Sequence, residues 1–243
     1  LDAKNVGYRE EVKRGFIRAL WGVYDDSHRI TRRRAGIDID IERIVSCEHT
    51  QPFKTYVMGK DNFNKAIELG VQDCELLTDD PAPFDLIKHQ YRHKMEIIKH
   101  AMEVDGYDEL VYLDWDCVPM KRLPENFWEE LRKKDVFQAT LQIYRRKKCH
   151  WRPEEQRKVP NGGFIYLRDR SLPAEAIRWW EKLKKPDNDE PAWARVTDEM
   201  MGGWNIEEYW KRFEIMFCNL HRSSPYPKEK LKQKNVCFIH YQG

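Results

Sequence analysis

The chain has 243 residues, of which 41% are apolar and nine are Trp, enough for one sizeable core. Charged residues reach 35%, the mean hydropathy is −0.82, and no apolar run is long enough to span a bilayer. A formal net charge of +2 is too small for a general electrostatic binder of nucleic acid, and six Cys with no CxxC pair argue against a disulfide or zinc framework. With those thiols read as reduced and no apolar leader at the start of the given chain, the expected localisation is cytoplasmic.

In chain order, Phe16 to Tyr24 reads as a first strand with its loop, ending in Asp25-Asp26-Ser27. Ile41 to Cys47 is a short helix or a strand; its pattern fits both. Phe53 to Met58 is a second strand stopped by Gly59, after which Asp61 is placed to cap a helix through Leu69 that closes at Gly70. Cys74 to Leu77 is a third short strand, broken by the Pro-rich stretch that follows. From Asp85 to Val104, Ile87, Tyr91, Met95, Ile98 and Met102 recur at spacings of three and four, one face of an amphipathic helix. Gly106 ends it, and Leu110 to Leu113 is an apolar strand that stops abruptly at Asp114-Trp115-Asp116.

The second half continues with a helix from Phe127 to Lys133 and a strand from Val136 to Tyr144. A basic loop around Arg145-Arg146-Lys147-Lys148 leads to Asn161-Gly162-Gly163, which opens a strand from Phe164 to Leu167. Pro173 to Leu183 is helical, and a Pro/Asp/Asn-rich loop then reaches Thr197-Asp198-Glu199. Phe213 to Leu220 and Val236 to Ile239 are the last strands. Strand–helix–strand alternation predicts an α/β fold with a mixed, mainly parallel sheet flanked by helices, in one domain over residues 1–243. Ligands of such sheets gather at the carboxyl ends of the strands, where Asp114 and Asp116 fall.

Two carboxylates one residue apart share a direction on an extended chain, and their repulsion calls for a cation or a shared proton. Hard divalent ions take carboxylate oxygens and complete their shell with substrate phosphates. A plain strand-to-loop turn is the simpler alternative. Likewise Gly162 and Gly163 either admit backbone N–H groups close to an anion or sugar, or form a hairpin turn. Asp198 and Glu199 either position or deprotonate an acceptor hydroxyl, or start a helix. Trp21, Gly22 and Tyr24 end the first strand, where an aromatic ring either stacks on a nucleobase or packs in the core. His89 and His93, at i and i+4, could form a zinc face, but no HExxH pattern accompanies them.

Taken together, Lys94 on the helix, the Asp114-Trp115-Asp116 strand end, Asn161-Gly162-Gly163, Asp198-Glu199 and the closing His240-Tyr241-Gln242-Gly243 resemble the GT-A superfamily of nucleotide-sugar glycosyltransferases. The His-x-x-Gly ending is similar to that of its galactosyltransferase-like branch. The resemblance implies a single GT-A domain, with residues 1–120 as the nucleotide-sugar half and 121–243 as the acceptor half. It implies a metal-dependent hexosyltransferase that moves a sugar from a UDP- or GDP-linked donor to an acceptor hydroxyl on a glycan, lipid, protein or nucleic acid. Asp114, Asp116 and His240 would hold Mn²⁺ or Mg²⁺. Lys94, with Arg92 second, would face the donor phosphates. Trp21, Gly22, Tyr24, Trp115, Asn161, Gly162, Gly163 and Gly243 would line the donor site. Asp198 and Glu199 would be catalytic if the enzyme inverts, and neither need be a base if it retains. The rival readings are a nucleotidyltransferase, which would want a Gly-rich loop where this chain has Asp25-Asp26-Ser27-His28-Arg29, and a non-catalytic nucleic-acid- or sugar-binding protein.

Overall fold

The apolar run Phe16 to Leu20 is the middle of the molecule's main sheet. In the computed structural model, which describes residues 11–22, 52–84, 86–114, 117–119, 123–133, 137–142, 159–183, 189–200, 217–221 and 238–242, it lies in β1 (Arg14–Leu20). The next two described strands in sequence, β2 (Lys54–Met58) and β3 (Cys74–Thr78), extend the sheet on one side, connected by α1 (Lys60–Glu68). The chain then returns through α2 (Leu86–Glu103) to place β4 (Glu109–Leu113) on the other side of β1. β3, β2, β1 and β4 are parallel. Beyond β4 lie β7 (Val159–Leu167), antiparallel to β4, and β6 (Phe137–Gln142), antiparallel to β7. The strand order is therefore β3-β2-β1-β4-β7-β6, and it reverses between β1 and β4. A crevice at the carboxyl ends of the strands flanking such a reversal is where open α/β sheets place ligands.

A small second sheet joins β5 (Cys117–Pro119), β9 (Phe238–Gln242) and β8 (Phe217–His221) in that order. β5 and β9 are antiparallel, with Cys117 opposite His240. The remaining helices are α3 (Phe127–Arg132), α4 (Leu172–Lys182) and α5 (Glu190–Met200).

The parallel strands are covered on both faces, which is why they read as continuous apolar runs rather than alternating ones. Leu110, Val111, Tyr112 and Leu113 are all at most 1% exposed. On one face Ile17, Ala19, Tyr56, Leu110 and Tyr112 pack with Met95, Ile98, Ala101 and Met102 of α2, Ile177 and Trp180 of α4, and Trp193 and Val196 of α5. On the other, Leu20 and Val57 meet Ala66 of α1, and Phe16 stacks on Phe127 with ring centroids 5.7 Å apart. Full burial of each such side chain contributes roughly 1.5–3 kcal/mol, so the core fixes the strand ends that carry polar groups.

Several expected elements shift. The first residue of α1 follows Gly59, not Asp61; Gly59 has φ 99°, and a Cβ there would sit 2.7 Å from the side chain of Pro81. Asp61 lies in the first turn instead, where its charge suits the helix dipole. Asn161-Gly162-Gly163 lies inside β7 rather than in a turn before it. The β6 register breaks there, with Ala139 opposite Ile165 and Thr140 opposite Asn161. The stretch expected to be loop before Thr197 is mostly helix, since α5 begins at Glu190. Ile41 to Cys47 and the basic loop around Arg145 lie outside the described residues.

Candidate functional site

β4 delivers Asp114 to the carboxyl edge of the sheet, one residue past the buried Leu113. The backbone there is held on both sides. The Asp114 N–H donates to the carbonyl of Gly163 at 2.9 Å, and the Asp114 carbonyl accepts from the Cys117 N–H at 2.9 Å. The side chain is fixed from below by Tyr112, whose hydroxyl donates to Oδ1 at 2.8 Å. Residues two apart on a strand share a face, so this contact follows from the extended chain.

Lys94, midway along α2, reaches the same carboxylate. Its Nζ is 3.1 Å from Asp114 Oδ1 and 3.2 Å from Oδ2 of Asp189, the residue that precedes α5. The ammonium also lies 5.0 Å from the centre of the Tyr112 ring, a cation–π contact. Asp189 Oδ2 accepts a further bond from the Trp193 indole N–H at 3.0 Å, and its carbonyl accepts from the N–H groups of Ala192 and Trp193. Lys94 and Asp189 are 1% and 2% exposed, whereas the Asp114 side chain is 25% exposed. The group thus has a sealed inner half and one carboxylate that faces outward. Burial pulls the Lys94 pKa down, but Asp114 and Asp189 outweigh it and hold the ammonium above the usual lysine value, so it stays charged.

Gly162 explains itself against this group. A Cβ there would come within 2.7 Å of Lys94 Nζ and 2.8 Å of Asp189 Oδ2. A side chain at that position would crowd the ion pair. Gly163 serves through its carbonyl, which also accepts from the Cys117 thiol at 2.9 Å.

The other expected positions lie apart from this group or outside the described residues. Trp21 is 4% exposed and stacks on His93, with ring centroids 6.2 Å apart, while the Gly22 N–H donates to the Pro81 carbonyl at 2.7 Å. Arg92 pairs with Glu96 at 3.2 Å and Glu181 at 2.9 Å, so of the two basic candidates it is Lys94 that meets Asp114. Asp198 and Glu199 occupy the last turn of α5, not a helix start, and Asn161 sits opposite Thr140 in β7. The register places His240 opposite Cys117, close along the chain to Asp114. Tyr24, Trp115, Asp116 and Gly243 lie outside the described residues. Of the His89 and His93 pair, His93 accepts the Phe84 N–H at its Nε2, at 3.2 Å.

Sequence reasoning missed Asp189 and Arg18. Asp189-Glu190-Pro191 is a helix-start signal, an Asp before the first turn and a Pro within it, that was submerged in a loop-like stretch. Arg18 is fully buried in β1, where its guanidinium donates to the Cys117 carbonyl at 2.6 Å and stacks over Phe53. It ties the central strand to the segment that follows Asp114.

Among the described residues, one group of three could hold a metal ion: Glu75, His100 and Asp105, with ligand atoms within 4.8 Å of one another. It lies at the opposite, amino edge of the sheet, where β2 and β3 begin. Lys54 already fills the cation's place there, 2.5 Å from Glu75 and 2.6 Å from Asp105. Tyr56 also donates to Asp105.

No family model matches the sequence, and no curated protein matches it. Solved structures do match. The chain aligns over 94% of its length, and 87% of the other chain, with the galactosyltransferase LgtC in complex with donor and acceptor sugar analogs, at 13% identity and a TM-score of 0.50. An active-site mutant of LgtC matches with the same coverage at 15% identity and a TM-score of 0.52. The glycosyltransferase GlyE of Streptococcus pneumoniae TIGR4 is a looser match, with 15% identity, 96% of this chain, 55% of its own and a TM-score of 0.45. At these identities the likeness is one of fold: the chain shares a mixed, mainly parallel α/β architecture with LgtC.

Proposed function

We propose that this protein is a metal-dependent glycosyltransferase that moves a hexose from a nucleoside-diphosphate-sugar to an acceptor hydroxyl. The observation that carries the reading is the outward-facing Asp114 at the reversal of strand order, backed by the charged Lys94. The fold shared with a galactosyltransferase supports it. A nucleotidyltransferase remains the rival, and it lacks support from any Gly-rich loop after β1.

The donor set fits a divalent cation. Asp114 presents a carboxylate at the strand end and already engages a cation, the Lys94 ammonium. Asp116 and His240 would complete the set, oxygen and imidazole together suiting Mn²⁺ better than Mg²⁺. When bound, the ion would neutralise charge on the departing nucleoside diphosphate. The chain's own part is to position. Tyr112 and the Gly163 carbonyl hold Asp114 in place, and Lys94 adds a buried, fixed positive charge behind that carboxylate. Trp21 packs in the core, so Gly22 at the end of β1, with Tyr24 beyond it, would border the base, and Asn161, Gly162 and Gly163 would border the sugar. In this scheme residues 1–120 carry the donor and 121–243 the acceptor, and Glu199 or Asp198 would receive or orient the acceptor proton.

The test is a panel of UDP- and GDP-sugars incubated with the protein and Mn²⁺, scored for release of nucleoside diphosphate. Release from one sugar class, abolished by chelation, is the expected result. Pyrophosphate release from a nucleoside triphosphate, with no diphosphate from any sugar, would move the assignment to the nucleotidyltransferase.

A further inference from the structure

Lys94 has two carboxylates within 3.2 Å, and they differ in what they can do. Asp114 is partly open to solvent and lies where the proposed cation would bind, while Asp189 is sealed between Gly162, Lys94 and the Trp193 indole. A cation that takes Asp114 removes one counter-charge from an ammonium that is itself 1% exposed. Stranding a buried charge is among the costliest events in a protein interior. With Asp189 in place the ammonium keeps a partner that cannot be drawn away, because Asp189 is itself 2% exposed and pinned by Trp193.

We infer that Asp189 is a positioning residue that releases Asp114: by neutralising Lys94 from within, it lets the Asp114 carboxylate pass from the ammonium to a divalent cation. This rests on the reading of Asp114 as a metal ligand. Gly162 belongs to the same device, since any side chain there would occupy the space in which Lys94 and Asp189 meet. In this arrangement Asp189 meets the Lys94 ammonium and the Trp193 indole. Its effect passes through Lys94.

The inference predicts a sign that a merely structural role does not. In Asp189→Asn the amide keeps an acceptor for the Trp193 N–H, but Asp114 becomes the sole counter-charge of Lys94 and should hold it against a competitor. Free Mn²⁺ counted by electron paramagnetic resonance should show binding to Asp189→Asn weakened roughly tenfold or more relative to the parent. Removing the ammonium as well should restore it: Lys94→Met/Asp189→Asn, in which neither buried charge remains, should bind Mn²⁺ at least as tightly as the parent. Because that double variant strands no charge, it tests the inference even if Asp189→Asn does not fold. Parental Mn²⁺ affinity in Asp189→Asn, or a tenfold loss in the double variant, would overturn the proposal. Asp114→Asn is measured alongside. If it binds Mn²⁺ like the parent, the metal reading of Asp114 fails and the inference with it. If it loses binding while Asp189→Asn keeps it, only the inference fails.

Discussion

Lys94 and Asp189 form a buried ion pair, and such pairs are unforgiving of losing one member. Lys94→Met leaves Asp189 without its cation and should cost about 3–5 kcal/mol, read as a fall in melting temperature. The double replacement Lys94→Met/Asp189→Asn should melt higher than that single variant despite carrying one more change. A double variant no more stable than the single would show that the two charges do not act as a pair. At Gly162 the expected fault is steric. Gly162→Ala drives a methyl group to 2.7 Å from Lys94 Nζ and should destabilise the fold by about 1–3 kcal/mol. An unchanged melting temperature for this variant would mean the pair has room the geometry does not show.

Among elements, α5 is where the sequence was least transparent. Ala192, Trp193 and Val196 carry helical spacing and are fully buried, yet the Pro, Asp and Asn residues before them give the composition of a loop. A Pro in the first helical turn is permitted because its missing N–H has no partner there. With α5 running from Glu190 to Met200, Asp198 and Glu199 fall at its carboxyl end, where the helix dipole disfavours negative charge. If Glu199 is the acceptor-side base, Glu199→Gln should reduce transfer by roughly two to four orders of magnitude while donor affinity holds. Full transfer by both Glu199→Gln and Asp198→Asn would remove the pair from catalysis.

The amino edge makes a separate prediction, since Lys54 of β2, Glu75 of β3 and Asp105 after α2 fasten three elements together. Burial pushes the Asp105 carboxyl up, but its bonds from Lys54 and Tyr56 prevail and hold it below the usual carboxylate range. A carboxyl depressed on folding stabilises the protein above its unfolded pKa, and that contribution is lost as the pH falls through the folded value. The melting temperature of the parent should accordingly decline below about pH 4, and Asp105→Asn should show a shallower decline over the same range. An identical slope in the variant would remove Asp105 from the acid limb.

At the scale of the molecule, the parallel half of the sheet and its carboxyl-edge carboxylate were legible because each signal is local. Leu110 to Leu113 is apolar and then stops at Asp114, and α2 shows its core face by spacing alone. What was not legible is contact across the chain. Nothing near Lys94 announces Asp189, ninety-five positions later, and Gly162 reads as a turn until the ion pair it accommodates is seen. No helix among the described residues is long and apolar enough to cross a membrane. In the proposed function, the Asp114 end of β4 binds a nucleoside diphosphate through a divalent cation. Calorimetric titration of UDP and GDP into the parent and into Asp114→Asn, each with Mn²⁺ and with chelator, tests it most directly. One nucleotide should bind the parent in Mn²⁺ alone, and that binding should be lost in Asp114→Asn. Equal binding by Asp114→Asn, or binding by the parent that is indifferent to chelation, would contradict it.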